Sequence, residues 1–529
     1  MNEYLLLAGI VIVICILANR YTEKLPVPSL LVFIAMGMCF GVNGIFKIPF
    51  DDYKASEIIC SVSLIFIMFY GGFGTNLEAA RSVAVKSVLL SSLGVVLTAG
   101  FVGCFVHFCL NLGWLESFLI GSVIASTDAA SVFNILRTKN LNLRYNTASM
   151  LELESGSNDP VSYMLTVIFV AMLTGSDVSV PVMLFKQIAF GLIGGFVFGR
   201  IAVWLLNKMD FDVAQGETIF VFAVAVLAYT FPSVLGGNGY LSVYLCGIIM
   251  GNSYIPAKRS LVQFFDVITG IAQMMIFFLL GLLVTPAELP AVIFPALCVT
   301  LFLTFIARPA AVTVILAPFR SHLRQIGLVS WAGLRGVASI VFAIQAVLSE
   351  APMRYNLFNL VFCIVLFSIA TQGTLLPWMS KKMKMIDKNA DVRKTFNDYQ
   401  EESDISFIKI HIGKGHAWSG QMLKDIPFAS HLLIVLILRG EEKLVPNGNT
   451  VVEEGDMLVV AAEEFEDREN LTLHEVIVGK NHKWKNKTLA EIPVPAGTLV
   501  VMISRGGETI IPKGNTVIQE GDTMVVAKF

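Results

Sequence analysis

Leu151-Glu152-Leu153-Glu154-Ser155-Gly156-Ser157-Asn158-Asp159-Pro160 decides how this chain is read. The stretch runs on as Val161-Ser162-Tyr163-Met164-Leu165-Thr166-Val167-Ile168-Phe169-Val170-Ala171-Met172-Leu173, which is apolar enough for a bilayer. Three carboxylates and an asparagine therefore enter a membrane-grade segment. Each ionised carboxylate at the bilayer centre costs roughly 2.5–3.5 kcal/mol on insertion scales. Charges kept at that cost serve ion coordination, proton relay or an internal ion pair.

The surrounding chain fits that setting. Of 529 residues, 55% are hydrophobic and only 15% charged, which marks a polytopic membrane protein. The apolar excess ends near residue 380, and the remaining chain reads as ordinary soluble sequence. A net charge of −2 gives no reason to expect a nucleic-acid partner. All eight cysteines precede residue 380 without zinc-ligand spacing, so they read as small membrane hydrophobes. Met1-Asn2-Glu3-Tyr4 lacks a basic leader region and is expected to open a first membrane helix.

Thirteen hydrophobic spans are predicted, near 4–19, 28–46, 57–74, 83–110, 115–136, 147–174, 181–207, 217–233, 239–252, 264–284, 291–318, 325–348 and 355–379. Alternate loops hold fifteen Lys and Arg residues against four, the four being Lys47, Lys54, Lys186 and Arg354. Positive charge favours the cytoplasm, so the tail is expected inside and the N-terminus outside. The predicted domains are 1–380 in the membrane, a charged linker over 381–403, and two small β-rich α+β domains at 404–465 and 470–529. The last two are copies offset by 66 residues: Gly413-Lys414, His416 and Trp418 return as Gly479-Lys480, His482 and Trp484. Glu454-Gly455-Asp456 likewise returns as Glu520-Gly521-Asp522. A short helix is expected near 421–426. The paired histidines read as part of the duplicated turn.

On a helix, Glu152, Ser155 and Asp159 share one face, and Glu154 and Asn158 share the next. Two further charges sit among small residues: Asp128 in Ala125-Ser126-Thr127-Asp128-Ala129-Ala130-Ser131, and Arg335 in Gly333-Leu334-Arg335-Gly336-Val337-Ala338-Ser339. These runs fall in spans five and twelve, which correspond if the chain is two halves offset by seven spans. That is the pattern of repeat-built transporters with discontinuous helices, whose half-helix ends Asp128 and Arg335 would offset. Glu152 is placed near the cytoplasmic end, in contact with solvent, and Arg308 as a packing anchor. His107 reads as a satisfied membrane histidine. Gly237-Asn238-Gly239-Tyr240 occurs once without a preceding Thr-Val, so it is not a potassium filter. No motif of an intramembrane protease or hydrolase is present, and the chain does not read as an enzyme.

Thr127-Asp128, Glu154-Ser155…Asn158-Asp159, Gly333-Leu334-Arg335-Gly336 and Gly236-Gly237-Asn238-Gly239-Tyr240 resemble the motifs of monovalent cation/proton antiporters of the sodium/proton-exchanger branch. The tail resembles two C-terminal subdomains of regulators of potassium conductance. The pairing resembles bacterial potassium/proton antiporters of the cell-volume-regulation type. The resemblance implies an all-α membrane domain of inverted repeats, a homodimer, and elevator-like motion in a bacterial inner membrane. It implies exchange of K⁺, or Na⁺, for H⁺ at Asp159, with Asp128, Ser155 and Thr127 coordinating the cation. Asn158 stands where the electrogenic branch has a second Asp, which implies electroneutral exchange. Glu154 with Arg335 is implied as a structural ion pair. No cofactor is implied for transport; a small-molecule or nucleotide regulator is expected at the tail, although no Gly-x-Gly-x-x-Gly motif is present. The chain departs from the pattern at Ala129, where Pro is frequent, and at Gly71-Gly72 in span three, where a carboxylate is usual. The alternative from another class is a ligand-gated cation channel.

Overall fold

The computed structural model describes residues 28–386 and 405–528, with short breaks at 43, 49, 51, 129–130, 133–134, 136–140, 142, 177–178, 210–214, 256–257, 414–415, 417, 427–431, 441, 464–471, 480–481, 493–497, 506–507 and 511, together with 9, 13–14 and 16–17. Most of the first predicted span and of the linker lies outside the described residues. The chain divides into two units, Met1–Glu401 and Glu402–Phe529.

The first unit is helical. Its main helices are α1 (Ser29–Phe40), α2 (Tyr53–Gly74), α3 (Ala84–Leu110, with a break at Ser92), α4 (Trp114–Val123), α5 (Thr147–Leu173), α6 (Val180–Lys208) and α7 (Gly216–Val234). They continue as α8 (Gly239–Gly251), α9 (Lys258–Leu283), α10 (Leu289–Leu316), α11 (Leu323–Trp331), α12 (Val337–Leu348) and α13 (Leu357–Lys382). Seven of these, α2, α3, α6, α7, α9, α10 and α13, are long and apolar enough to cross a membrane. Two predicted spans are broken in the middle. The segment expected at 115–136 leaves its helix after Val123, and the one at 325–348 is interrupted between Trp331 and Val337.

Side-chain caps start several helices. Asp52 accepts from the Ala55 amide at 2.9 Å to open α2, and Asn238 accepts from the Leu241 amide at 3.0 Å to open α8. Glycines set the closest crossings. A Cβ on Gly37 of α1 would collide with the Phe278 carbonyl of α9, and one on Gly281 of α9 with the Ile34 carbonyl of α1. At the crossing of α2 and α8, Gly72 and Gly247 stand in the same reciprocal relation to Tyr244 and Phe69. An offset of seven spans maps α1 onto α8 and α2 onto α9. It therefore carries one glycine crossing onto the other, as the repeat requires.

Each half of the tail is a four-stranded antiparallel sheet. The first holds β1 (Ile405–His411), β2 (Leu432–Arg439), β3 (Glu442–Leu444) and β4 (Met457–Glu463), in the order β1-β4-β2-β3. The second holds β5 (Thr472–Ile477), β6 (Thr498–Arg505), β7 (Glu508–Ile510) and β8 (Thr523–Lys528), in the order β5-β8-β6-β7. The register shift between Ile434 and Leu436 recurs between Val500 and Met502, again 66 residues on. The expected short helix is a single 3₁₀ turn, Leu423–Asp425, repeated at Leu489–Glu491. The cores match in register: Ile412, Ile437, Val452 and Leu458 correspond to Val478, Ile503, Ile518 and Met524.

A clasp closes each sheet. Arg439 donates Nε and Nη2 to the two oxygens of Asp456, both at 2.8 Å, and Arg505 does the same to Asp522 at 2.7 and 2.8 Å. The guanidinium beside each aspartate holds its carboxyl below the usual range, helped by the Glu453 and Gln519 amides. The folded value is depressed, so the stabilisation is present above the unfolded value of about 4 and is lost as pH falls through the folded one. Replacing Asp456 or Asp522 with Asn should cost about 1–3 kcal/mol of domain stability at neutral pH. It should also remove part of the acid sensitivity of that domain. Hydrogen exchange of β4 or β8 against pH measures both effects.

Candidate functional site

The two helix breaks meet. The Asp128 amide donates to the Leu334 carbonyl at 2.9 Å, joining the unwound stretch after α4 to the one between α11 and α12. Arg335 reaches back with Nη1 to the carbonyls of Ala125 at 2.8 Å and Ser126 at 2.6 Å. These carbonyls lie just past the end of α4, where partial negative charge collects, and a buried cation is the fitting complement. Asp128 does the opposite task. Its carboxylate accepts from the Ser131 amide at 3.1 Å and from the Ser131 hydroxyl, capping the next helical turn. A Cβ on Gly336 would overlap the Asp128 carboxylate, so the two segments approach this closely only with glycine there.

Helix α5 lays its polar face against this crossing. The Ser155 hydroxyl donates to the Thr127 carbonyl, Asn158 Nδ2 donates to Thr127 Oγ1 at 2.5 Å, and the Ser126 hydroxyl donates to Asp159 Oδ1. Asp159, Asp128, Asn158, Ser155 and Thr127 thus come together, at a place where Asn158 is fully buried and Asp159 is 9% exposed. Asn158 Oδ1 is buried and has no hydrogen-bond donor among the described residues. The result is a cluster of hard oxygen donors around one carboxylate, suited to a proton or an alkali cation. Ser126 was not singled out from sequence. Its only signal is its place two residues before Asp128 in a run already marked by small residues. Asn238 supports the site from α8 by donating to the Pro160 carbonyl at 2.8 Å, which gives the Gly237-Asn238-Gly239-Tyr240 stretch a packing role.

The ion pair expected between Glu154 and Arg335 is not the one formed. Glu154 takes Arg308, whose Nη2 donates to both carboxylate oxygens at 2.7 and 2.8 Å. Both side chains are at most 2% exposed. The physical reason lies in direction. Glu154 points off the Asp159 face of α5 toward α10, where a π-helical turn at Leu303–Ala307 brings Arg308 inward. Arg335 turns Nη1 to the carbonyls after α4, and its Nε and Nη2 are buried with no hydrogen-bond partner among the described residues. Glu152 also differs from expectation. It is buried at 5% exposure, and Oε1 has no partner among the described residues. Just before Gly71-Gly72, Tyr70 of α2 donates to Asp266 of α9 at 3.0 Å.

Comparisons with known proteins bear on the whole chain. The family described as "Sodium/hydrogen exchanger, transmembrane" matches residues 9–382, and the TrkA-C domain matches 408–464 and 473–527. A protein named K(+)/H(+) antiporter NhaP2 from Shewanella sp. (strain ANA-3) is 32% identical over 472 residues, covering 88% of this chain and 82% of the relative. K(+)/H(+) antiporter NhaP from Alkalimonas amylolytica is 35% identical over 387 residues, covering 73% and 67%. The solved sodium proton antiporter MjNhaP1 from Methanocaldococcus jannaschii has the same fold, with a TM-score of 0.64 at 22% identity, covering 70% of this chain and 99% of its own.

The Glu154–Arg308 pair yields a stability prediction. Removing one partner leaves a buried charge uncompensated, so Glu154→Leu or Arg308→Leu alone should destabilise the membrane domain by about 3–5 kcal/mol. The double change should cost clearly less than the sum of the two. Thermal unfolding of the purified chain in detergent reads the coupling.

Proposed function

The chain belongs to the sodium/hydrogen exchanger family, and on that premise we propose that it is a secondary antiporter exchanging a monovalent cation, K⁺ in preference to Na⁺, for H⁺. The observation that carries this reading is the buried carboxylate of Asp159, set beside the Ser126, Ser155, Asn158 and Thr127 groups. A bare carboxylate there is costly, and a proton or a cation relieves that cost. The two cargoes compete for one anion, which is sufficient to couple their movements. Asp128, Thr127, Ser155 and Asn158 Oδ1 supply the further oxygens for a dehydrated cation. The channel alternative finds no repeated filter in the sequence, and the curated relatives carry antiporter names.

The preference for K⁺ rests on the names of the relatives at 32% and 35% identity. The bias of Lys and Arg among the loops supports a cytoplasmic tail and an external N-terminus in a bacterial inner membrane. The chain works as a homodimer, on the strength of the family. The tail tunes transport by binding a small molecule or nucleotide.

Two outcomes test the core of this reading. In proteoliposomes, Asp159→Asn should abolish cation-dependent proton flux, and normal exchange by that variant would end the proposal. Neutral Asn158 beside Asp159 allows one proton for one cation. Clamping the membrane potential to zero should therefore leave the wild-type exchange rate unchanged.

A further inference from the structure

Resting on the antiport reading, we propose a second cation station at the mouth of the Lys-poor side, built by Glu57 with Ser61 and Gln345. Three elements bring it together. Glu57 and Ser61 lie in the first turns of α2, just after Lys54, and Gln345 lies in the last turn of α12, before Arg354. Tyr240 lies at the start of α8, whose other end leads to Lys258. Each therefore sits at the Lys-poor end of its helix. Glu57 Oε1 accepts from the Ser61 hydroxyl at 2.8 Å and from Gln345 Nε2 at 3.3 Å, and the Tyr240 hydroxyl reaches Ser61 at 3.4 Å. Glu57 is half-buried and has no ion-pair partner among the described residues. Cys60 on its own helix, Tyr163 of α5 and Tyr229 of α7, all neutral, lie within electrostatic reach, and exposed Lys54, one turn earlier on α2, forms no ion pair with it. A carboxylate without an ion-pair partner, beside a hydroxyl and a carboxamide that can turn its oxygen inward, is a weak, hydrated site for a monovalent cation.

Its position relative to Asp159 gives it a purpose. Tyr163 lies one helical turn, about 6 Å, beyond Asp159 toward the Lys-poor side. There it meets Tyr240 and Phe342, with ring centroids 5.1 and 5.6 Å away, and Tyr240 and Phe342 lie 6.0 Å apart. This aromatic layer lies between the outer station and the carrier. Along α12, Ser339, Phe342 and Gln345 follow at intervals of three, giving an inner polar, an aromatic and an outer polar level. Ser339 Oγ is buried with no partner among the described residues. Alternating access requires this layer to part, and the Glu57–Gln345 hydrogen bond joins α2 to α12 across it. A cation held at Glu57 waits at the seal and is passed inward when the seal opens.

The test uses the full chain in right-side-out and everted membrane vesicles, with K⁺ or Na⁺ added to one face at a time. Glu57→Gln keeps an acceptor for Gln345 but removes the charge. It should raise the KM for the cation on the Lys-poor face about fivefold, equivalent to roughly 1 kcal/mol, with Vmax and the opposite-face KM held. Glu57→Asp, which keeps the charge, should recover most of the affinity. An unchanged KM, an equal rise on both faces, or a Glu57→Asp variant no better than Glu57→Gln would overturn the proposal. If wild-type vesicles exchanged no cation for protons, the antiport reading itself would fail, which is a separate result.

Discussion

Everything in the membrane unit depends on satisfying backbone groups where two helices are unwound. In hydrocarbon, free carbonyls and amides find no water, so irregular backbone survives only where protein supplies the partners. Here the two breaks supply each other. Arg335 from one break caps the carbonyls after α4, the Asp128 amide meets the Leu334 carbonyl, and Asp128 caps the turn beyond. Gly336 lets the two segments close to that distance. Once the crossing is made, it leaves polar atoms of Ser126 and Thr127 facing α5. The candidate site is a by-product of solving a backbone problem.

The sequence showed the two places where this occurs because at each a lone charge sits among small residues, at corresponding positions of the two halves. It also showed that Ser155 and Asp159 share a face of α5, since spacing alone fixes direction on a helix. Spacing does not reveal which helix stands opposite. Glu154 was legible as a member of an ion pair, but its partner was not, because Arg308 and Arg335 are both buried arginines in apolar chain. Only the π-helical turn in α10 and the demand of the α4 carbonyls separate their roles, and neither leaves a mark in composition. Glu152 was misplaced for a related reason. Its polarity suggested solvent, whereas packing encloses that level of α5.

The tail was legible almost throughout, and for a simpler reason. Two copies at a fixed offset of 66 residues must share a fold, so any feature seen in one is tested in the other. The clasp of Arg439 with Asp456 recurs as Arg505 with Asp522, and the β-bulge recurs in register. Duplication also organises the membrane unit, but in divergent form. There, the glycine crossings of α1 with α9 and of α2 with α8 survive as its signature. Close backbone approach tolerates no side chain, and that constraint outlasts sequence identity.

The charge balance around Asp159 argues for its singular role. Three other carboxylates lie on or near the site, yet they differ in circumstance. Glu154 is paired with Arg308, whose Nη2 reaches both carboxylate oxygens. Asp128 accepts from the Ser131 amide and hydroxyl. Glu152 shares the Asp159 face of α5, but its Oε1 has no hydrogen-bond partner among the described residues. Asp159 accepts from the Ser126 hydroxyl and has no arginine clasp of the kind that holds Glu154. A second aspartate at position 158 would add an anion where the neighbouring Thr127 hydroxyl now receives an amide proton. With asparagine there, Asp159 has no second aspartate beside it on α5. On the proposed reading, a proton or a monovalent cation neutralises that one carboxylate equally, which is the basis of the one-for-one exchange proposed above.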